Sequence, residues 1–298
     1  MVAGSLAAVG LAIGSSICFA GNRSFASRPL VKSDTRIITY ISLLVGVAVT
    51  GSALVIANEW STLLLASTLV ILVFATVGIV HYGIGRRLSY VAVKNIGANA
   101  TSPLLSSSVL YSLVFSVIFL HEVVTVAIGA GTALILLGVI ILEIRASALK
   151  RGGKYSIGYL AAILTAAIFG LTPVIISFGL SIYGYYLAAI FIAYSTAAII
   201  YTLTSNSPKM IREIIKTPNS VLVFYLVSSI FASGAQIFRF AALSFAPVVL
   251  IVPILSTNPI FTILLTRVVA KDVEVFTPRT ILSMIVVVIG SAVVTIFA

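Results

Sequence analysis

Carboxylates are scarce in this sequence: seven Asp and Glu against eighteen Lys and Arg in 298 residues, for a formal net charge of +11. The seven are Asp34, Glu59, Glu122, Glu143, Glu213, Asp272 and Glu274, and each falls in a gap between apolar runs or at the end of one. A mid-membrane acid, the usual relay of a proton-driven carrier, is therefore missing. Paired carboxylates for hydrolysis are missing too, as are HExxH, a phosphate-cradling Gly loop ending in Lys-Ser/Thr, and a Ser-His-Asp order in a suitable setting. The chain reads as no enzyme, with no cofactor and no metal site. Its one cysteine, Cys18, excludes an intrachain disulfide and a cysteine-based metal site. Charged residues make up 8% of the chain, where soluble domains carry roughly a quarter. The basic residues sit singly or in pairs, with no continuous face or recognition motif, which argues against nucleic acid.

What fills the space is apolar sequence, 60% of all residues, with a mean hydropathy of +1.23. A helix needs about 20 apolar residues to cross a bilayer core. Ten runs approach or exceed that length: Val2–Gly21, Ile37–Ala57, Thr62–Ile84, Ile96–Leu120, Val124–Ile144, Ile157–Phe178, Gly184–Thr204, Ser220–Leu243, Val248–Val268 and Ile281–Phe297. The expected fold is an all-α integral membrane protein with ten transmembrane helices. A cleaved signal peptide carries its positive charge ahead of the apolar region. Here Arg23, Arg28, Lys32 and Arg36 follow the first run, which predicts a retained helix.

Lys and Arg crowd into alternate gaps. They follow runs one, three, five, seven and nine, whereas the even gaps hold none, and only Arg239 stands outside the pattern. Basic loops stay cytoplasmic, so the pattern predicts a multi-pass protein of the cytoplasmic membrane with both termini outside. Trp60 and the Tyr183, Tyr185, Tyr186 group then fall at the outer interface, where amphipathic rings are favoured.

The chain also matches itself at a shift of 150 residues. Ala92, Pro103, Leu105 and Ser106 meet Ala242, Pro253, Leu255 and Ser256, and Glu122 meets Asp272. Halves 1–149 and 150–298 would each hold five spans, and an odd number forces the second half to enter the membrane reversed. Such inverted repeats are typical of secondary transporters, which bind substrate near the midplane. Each half has a Pro-containing fourth run ending near an acid and a Gly-bearing fifth. The stretches are "YVAVKNIGANATSPLLSSSVLYSLVFSVIFLHE" and "IGAGTALILLGVIIL" in the first half. In the second they are "FAALSFAPVVLIVPILSTNPIFTILLTRVVAKDVE" and "ILSMIVVVIGSAVV". In these features the chain resembles the EamA-like branch of the drug/metabolite transporter superfamily. The resemblance covers essentially the whole length and implies metabolite or amino-acid export, without fixing a substrate. Members are usually described with both ends cytoplasmic, opposite to what the charges predict here.

A polar group in the bilayer core is expensive unless it faces protein, water or a partner. In run four, Asn95, Asn99, Ser102 and Ser106 lie four, three and four apart, one stripe of a continuous helix. Lys94, Thr101, Ser108 and Ser112 form its neighbour. Run nine offers Ser256, Thr257, Asn258 and Thr262, with Pro253 and Pro259 to free backbone carbonyls. Ser, Thr and Asn also bond simply across helix contacts, so the stripes are candidates for a cavity lining as groups. Lys94 and Arg239 are candidates for holding a carboxylate or phosphate, with Gln236 on the Arg239 face and His81 a weaker candidate. Both cations could equally snorkel to a surface. Gly10 and Gly14, in GxxxG spacing, and Gly129, Gly131 and Gly170 predict close helix contacts.

The function expected is a secondary transporter. It would move a small polar or amphipathic metabolite, an amino acid or an organic or phosphorylated anion, by alternating access. Membrane lipid surrounds it, and no ATP-binding subunit is evident. A lipid-headgroup enzyme is the main alternative, but it predicts clustered acids or histidines at one interface. A non-transporting bundle, the other alternative, needs no hydrophilic stripe on run four.

Overall fold

The computed structural model describes residues 2–30, 34–143, 153–205, 207–269 and 278–297, and among them it contains helices and no strand. Helices α1 (Val2–Leu30) and α2 (Thr35–Ile56) lead to a 3₁₀ segment at Trp60–Leu65. Next, α3 (Thr68–Val77) runs through a π-helical segment (Gly78–Gly85) into α4 (Arg86–Ser106), followed by α5 (Ser108–Leu120) and α6 (Val126–Glu143). The second half holds α7 (Gly153–Tyr183), α8 (Tyr186–Thr204), a short α9 (Ser207–Lys216) and α10 (Asn219–Phe245). It ends with α11 (Val248–Leu255), α12 (Asn258–Val269) and α13 (Pro278–Phe297). Among the described residues, seven helical stretches are long and apolar enough to cross a membrane, and Ser108–Leu120, Val126–Gly138 and Ile285–Ile296 are shorter apolar helices. Leu64, Leu72, Val126, Ile140 and Val288 are among the many large apolar side chains left exposed, as suits a surface solvated by lipid.

Three expectations about helix limits are corrected. The first run was bounded at Gly21, but α1 continues to Leu30 and carries Arg23 inside it. The third was bounded at Ile84, but the helix continues to Gly97, so Arg86, Arg87 and Lys94 are helical rather than loop residues. The fourth was expected as one unbroken helix. Instead Gly97 breaks it at φ 84°, ψ 163°, a conformation that costs little only without a Cβ, and Ser107 interrupts it again. The stripe from Asn95 to Ser106 is therefore divided by the break.

The 150-residue register recurs in these breaks. Gly97 corresponds to Pro247, and the start of α5 at Ser108 corresponds to the start of α12 at Asn258. Packing follows the same exchange: α1 lies along α10 as α7 lies along α4, and α5 meets α7 as α12 meets α1. The pairs α2–α8 and α6–α13 join counterpart to counterpart. In the last pair a Cβ built on Gly131 would come 2.7 Å from the Gly290 carbonyl oxygen, and one on Gly290 2.6 Å from that of Gly131. Gly170 is equally tight, its Cβ position 2.4 Å from that of Tyr111. By contrast, nothing approaches Gly10 or Gly129 within 4 Å, so the GxxxG spacing does not mark a close contact at Gly10.

One acid joins the halves. His121, at φ 54°, ends α5 in the left-handed region and turns the chain. The Glu122 carboxylate then accepts hydrogen bonds from the backbone N–H groups of Val248 and Val249, both at 2.9 Å. These are orphan donors at the α11 N-terminus, where negative charge also complements the helix dipole. Glu122→Ala is expected to cost about 2–3 kcal/mol, since hydrogen bonds to charged groups are worth about 1.5–3 kcal/mol. Thermal unfolding in detergent checks this; a melting point equal to wild type would show the link to be idle.

Candidate functional site

The π-helical segment carries two of the central side chains. The Arg86 N–H reaches back five residues to the His81 carbonyl, so this turn holds one residue more than an α-turn. His81 and Tyr82 are both buried, and their polar atoms form a directed chain. The Thr172 hydroxyl donates to the Ile168 carbonyl at 2.7 Å, leaving its oxygen to accept from His81 Nδ1 at 3.1 Å. His81 Nε2 then accepts from the Gln236 amide at 2.9 Å, and Gln236 Oε1 accepts from the Tyr82 hydroxyl at 3.3 Å. This order of donors and acceptors assigns a neutral imidazole with its proton on Nδ1.

Next to it, Arg86 is buried among aromatic rings. Nη1 donates to Ser42 at 2.7 Å and Nη2 to the Tyr194 hydroxyl at 2.8 Å. The guanidinium carbon lies 4.8 Å from the Tyr82 centroid and 5.1 Å from that of Tyr194, and those two rings stack 4.1 Å apart. Planar forks suit such stacked, divergent bonding, and an ammonium does not. Arg86→Lys is therefore expected to destabilise the fold by about 2 kcal/mol, the scale of losing one charge-assisted hydrogen bond. Chemical unfolding of both forms checks this, an unchanged midpoint being the contrary result.

Beside this layer lies a central cavity of about 50 Å³, room for roughly three to five waters at about 10–15 Å³ each. Helix α1 contributes Phe19 and Arg23, α10 contributes Arg239, and α7 contributes Phe169 and Pro173. The ends of α4, α5, α11 and α12 contribute Leu105, Ser108, Leu255 and Asn258, with Ser256 between the last two. Arg23 donates to Asn258 Oδ1, and Asn258 Nδ2 donates to the Leu255 carbonyl at 3.0 Å. Arg239 is only 4% exposed, and its Nε and Nη2 have no hydrogen-bond partner among the described residues. Among the described residues no carboxylate lines the cavity. Two guanidiniums thus border one small space, and one of them holds unused donors. A buried unmet donor costs about 1–3 kcal/mol, more when charged, so these donors call for an acceptor that the described residues do not supply.

The predicted residues divide accordingly. Arg239, Ser256 and Asn258 line the cavity, and Gln236 and His81 form the adjoining chain. Lys94 is exposed, away from this cavity. Asn95 is half-buried and bonds the Val91 carbonyl of its own helix at 2.8 Å. Of the neighbouring stripe, Thr101 bonds the Gly97 carbonyl and Ser112 bonds that of Gly170, both ordinary helix contacts. The side chains of Asn99, Ser102 and Ser106 lie outside the described residues. Sequence reasoning missed Arg23 and Arg86, which it counted as loop charges. The only signal was position: each follows an apolar run by two residues, too close to the run to be clear of it.

A duplicated bundle with lipid-exposed flanks and a polar, cationic centre defines a helical membrane transporter-like protein. The EamA-like transporter family model matches residues 6–144 and again 156–296, and the chain belongs to that family. Among solved structures, one titled only "Crystal structure of protein" is similar over 96% of both chains, with a TM-score of 0.72 and 20% identity, a likeness of fold. Comparison with curated proteins gave no match.

Proposed function

We propose that this protein is a secondary carrier of a small organic anion, a carboxylate or phosphorylated metabolite, working across the cytoplasmic membrane. The reading rests on one observation: Arg239, buried and with two donors unmet, shares a cavity with Arg23 and, among the described residues, with no acid. The substrate's charged group sits between the two guanidiniums, with Asn258 and Ser256 as neutral partners. The present cavity, about 50 Å³, admits such a head group and little more.

In this reading the halves 1–149 and 150–298 each span the membrane five times, in opposite senses, and rock about the cavity to open it alternately to either side. The exchange of packing partners between the halves supports the symmetry. Orientation follows the charges, with both termini outside. Arg36 and Arg87 come from different gaps yet border one pocket with Glu213 of α9, which supports a single basic face. Cysteine labelling of Trp60→Cys and Arg212→Cys in a Cys18→Ser background tests it: outside label should reach position 60 alone, and the reverse result would invert the assignment.

The function itself is tested by uptake into proteoliposomes of amino acids, organic acids and sugar phosphates, with wild type and Arg23→Gln. Saturable uptake of an anion, lowered at least about tenfold in the variant, is the expected result. Uptake of neutral or cationic solutes alone, or equal uptake by both forms, would overturn the reading.

A further inference from the structure

A second, larger cavity lies away from the central one. Between the π-helical segment with α4 and the facing side of α8 runs a cleft of about 530 Å³, walled by Ile79, Ile84, Leu88, Val91 and Ile200. Ile79 and Ile84 are also exposed on the lipid-facing flank, so the cleft opens sideways into the bilayer. At its basic end it shares Arg87, Tyr201, Thr204 and Ser205 with a pocket of about 340 Å³. That pocket adds Asp34, Arg36, Met210 and Glu213. One space is thus apolar along its length and polar at its mouth.

The depth of the mouth is set by α9. Met210 is buried and Ile214 packs on the core, while Ile211 and Ile215 point outward at 48% and 77% exposure and Arg212 and Lys216 take the polar side. A short helix so divided lies in the plane of the interface, at headgroup level. Met210 and Glu213 of this helix line the mouth.

The mouth also carries both signs of charge. Arg36 and Arg87 face Asp34 and Glu213 around one pocket, and none of the four forms an ion pair among the described residues. Two guanidiniums suit a phosphate, and two carboxylates suit a primary ammonium. From this we infer that the cleft is a binding site for an aminophospholipid, a lipid with a phosphoethanolamine-type head. The phosphate lies at Arg36, Arg87 and the Tyr201 side, and the ammonium at Asp34 and Glu213. One acyl chain lies in the cleft against α8.

Native mass spectrometry of the full chain in detergent, with phosphatidylethanolamine, phosphatidylcholine and phosphatidylglycerol of identical acyl chains, tests this. The expected result is at least about fivefold higher occupancy for phosphatidylethanolamine than for the other two, because a carboxylate–ammonium contact is charge-assisted. Asp34→Asn/Glu213→Gln should abolish the preference over phosphatidylcholine; Asn still caps α2, as Asp34 does through Arg36 N–H, so the fold is kept. Arg87→Gln should lower all three. Equal occupancy of the three lipids, or a preference for phosphatidylglycerol, overturns the inference. So does a preference that survives in the double variant. Soluble phosphoethanolamine competing as well as the lipid would also overturn it, since the apolar cleft would then contribute nothing.

Discussion

Arg239→Gln should reduce saturable anion uptake by about 10- to 150-fold, the fold-change equivalent to losing one or more charge-assisted hydrogen bonds at about 1.5–3 kcal/mol. Gln is polar but two bonds shorter, so the change removes both the charge and the guanidinium fork from the cavity. If the anion meets Arg239 directly, the loss appears as weaker binding, with the melting point of the empty protein unchanged or raised. A guanidinium with two unmet donors is a burden to the empty state, and Gln removes that burden. The combination of poorer uptake and undiminished stability is the signature to seek. Arg239→Lys should recover only part of the activity, because an ammonium keeps the charge and loses the fork. Uptake by Arg239→Gln equal to wild type would remove the anion site from this cavity.

Gly78→Ala should be among the most damaging single methyl additions at the described glycines. Its Cβ would come 2.2 Å from the carbonyl oxygen of Ala193, a backbone atom that cannot rotate aside. The π-helical segment begins here and packs on α8, so separating the two backbones also displaces Tyr194 from Arg86 and Tyr82. Overpacking costs about 1–3 kcal/mol even where side chains can yield; about 3 kcal/mol or more is expected at this contact. The measurement is the fraction of monodisperse protein recovered in detergent and its melting point. Gly129→Ala, where the Cβ meets nothing within 4 Å, is the matched control and should behave as wild type. If the two variants are equally stable, the α8 contact is looser than described.

Much of this was legible in the sequence. Spans, the 150-residue register and the family follow from hydropathy, prolines and small residues, because lipid leaves a chain few alternatives to apolar helices. Arg239 was legible for the same reason: a lone charge inside an apolar run has to be explained. Arg23 and Arg86 were not. Hydropathy reads a charge near the end of a run as the end of the helix, whereas α1 continues nine residues beyond Gly21 with Arg23 turned inward. Nor could a fixed helical period anticipate Gly97, where φ 84° breaks the stripe that began at Asn95. A period assumes an unbroken helix, and the break depends on how α4 must meet its neighbours.

The π-helical turn has one mechanical consequence. An extra residue in a helix is a defect that can be formed or removed. Resolving it into an ordinary α-turn rotates everything beyond by about 100°, one residue's share of a turn of 3.6. Such a step would swing Arg86 away from the stacked rings of Tyr82 and Tyr194 while leaving α3 where it stands. A stretch of eight residues could thus act as a swivel, reorienting one wall of the central chamber without any loop having to unfold.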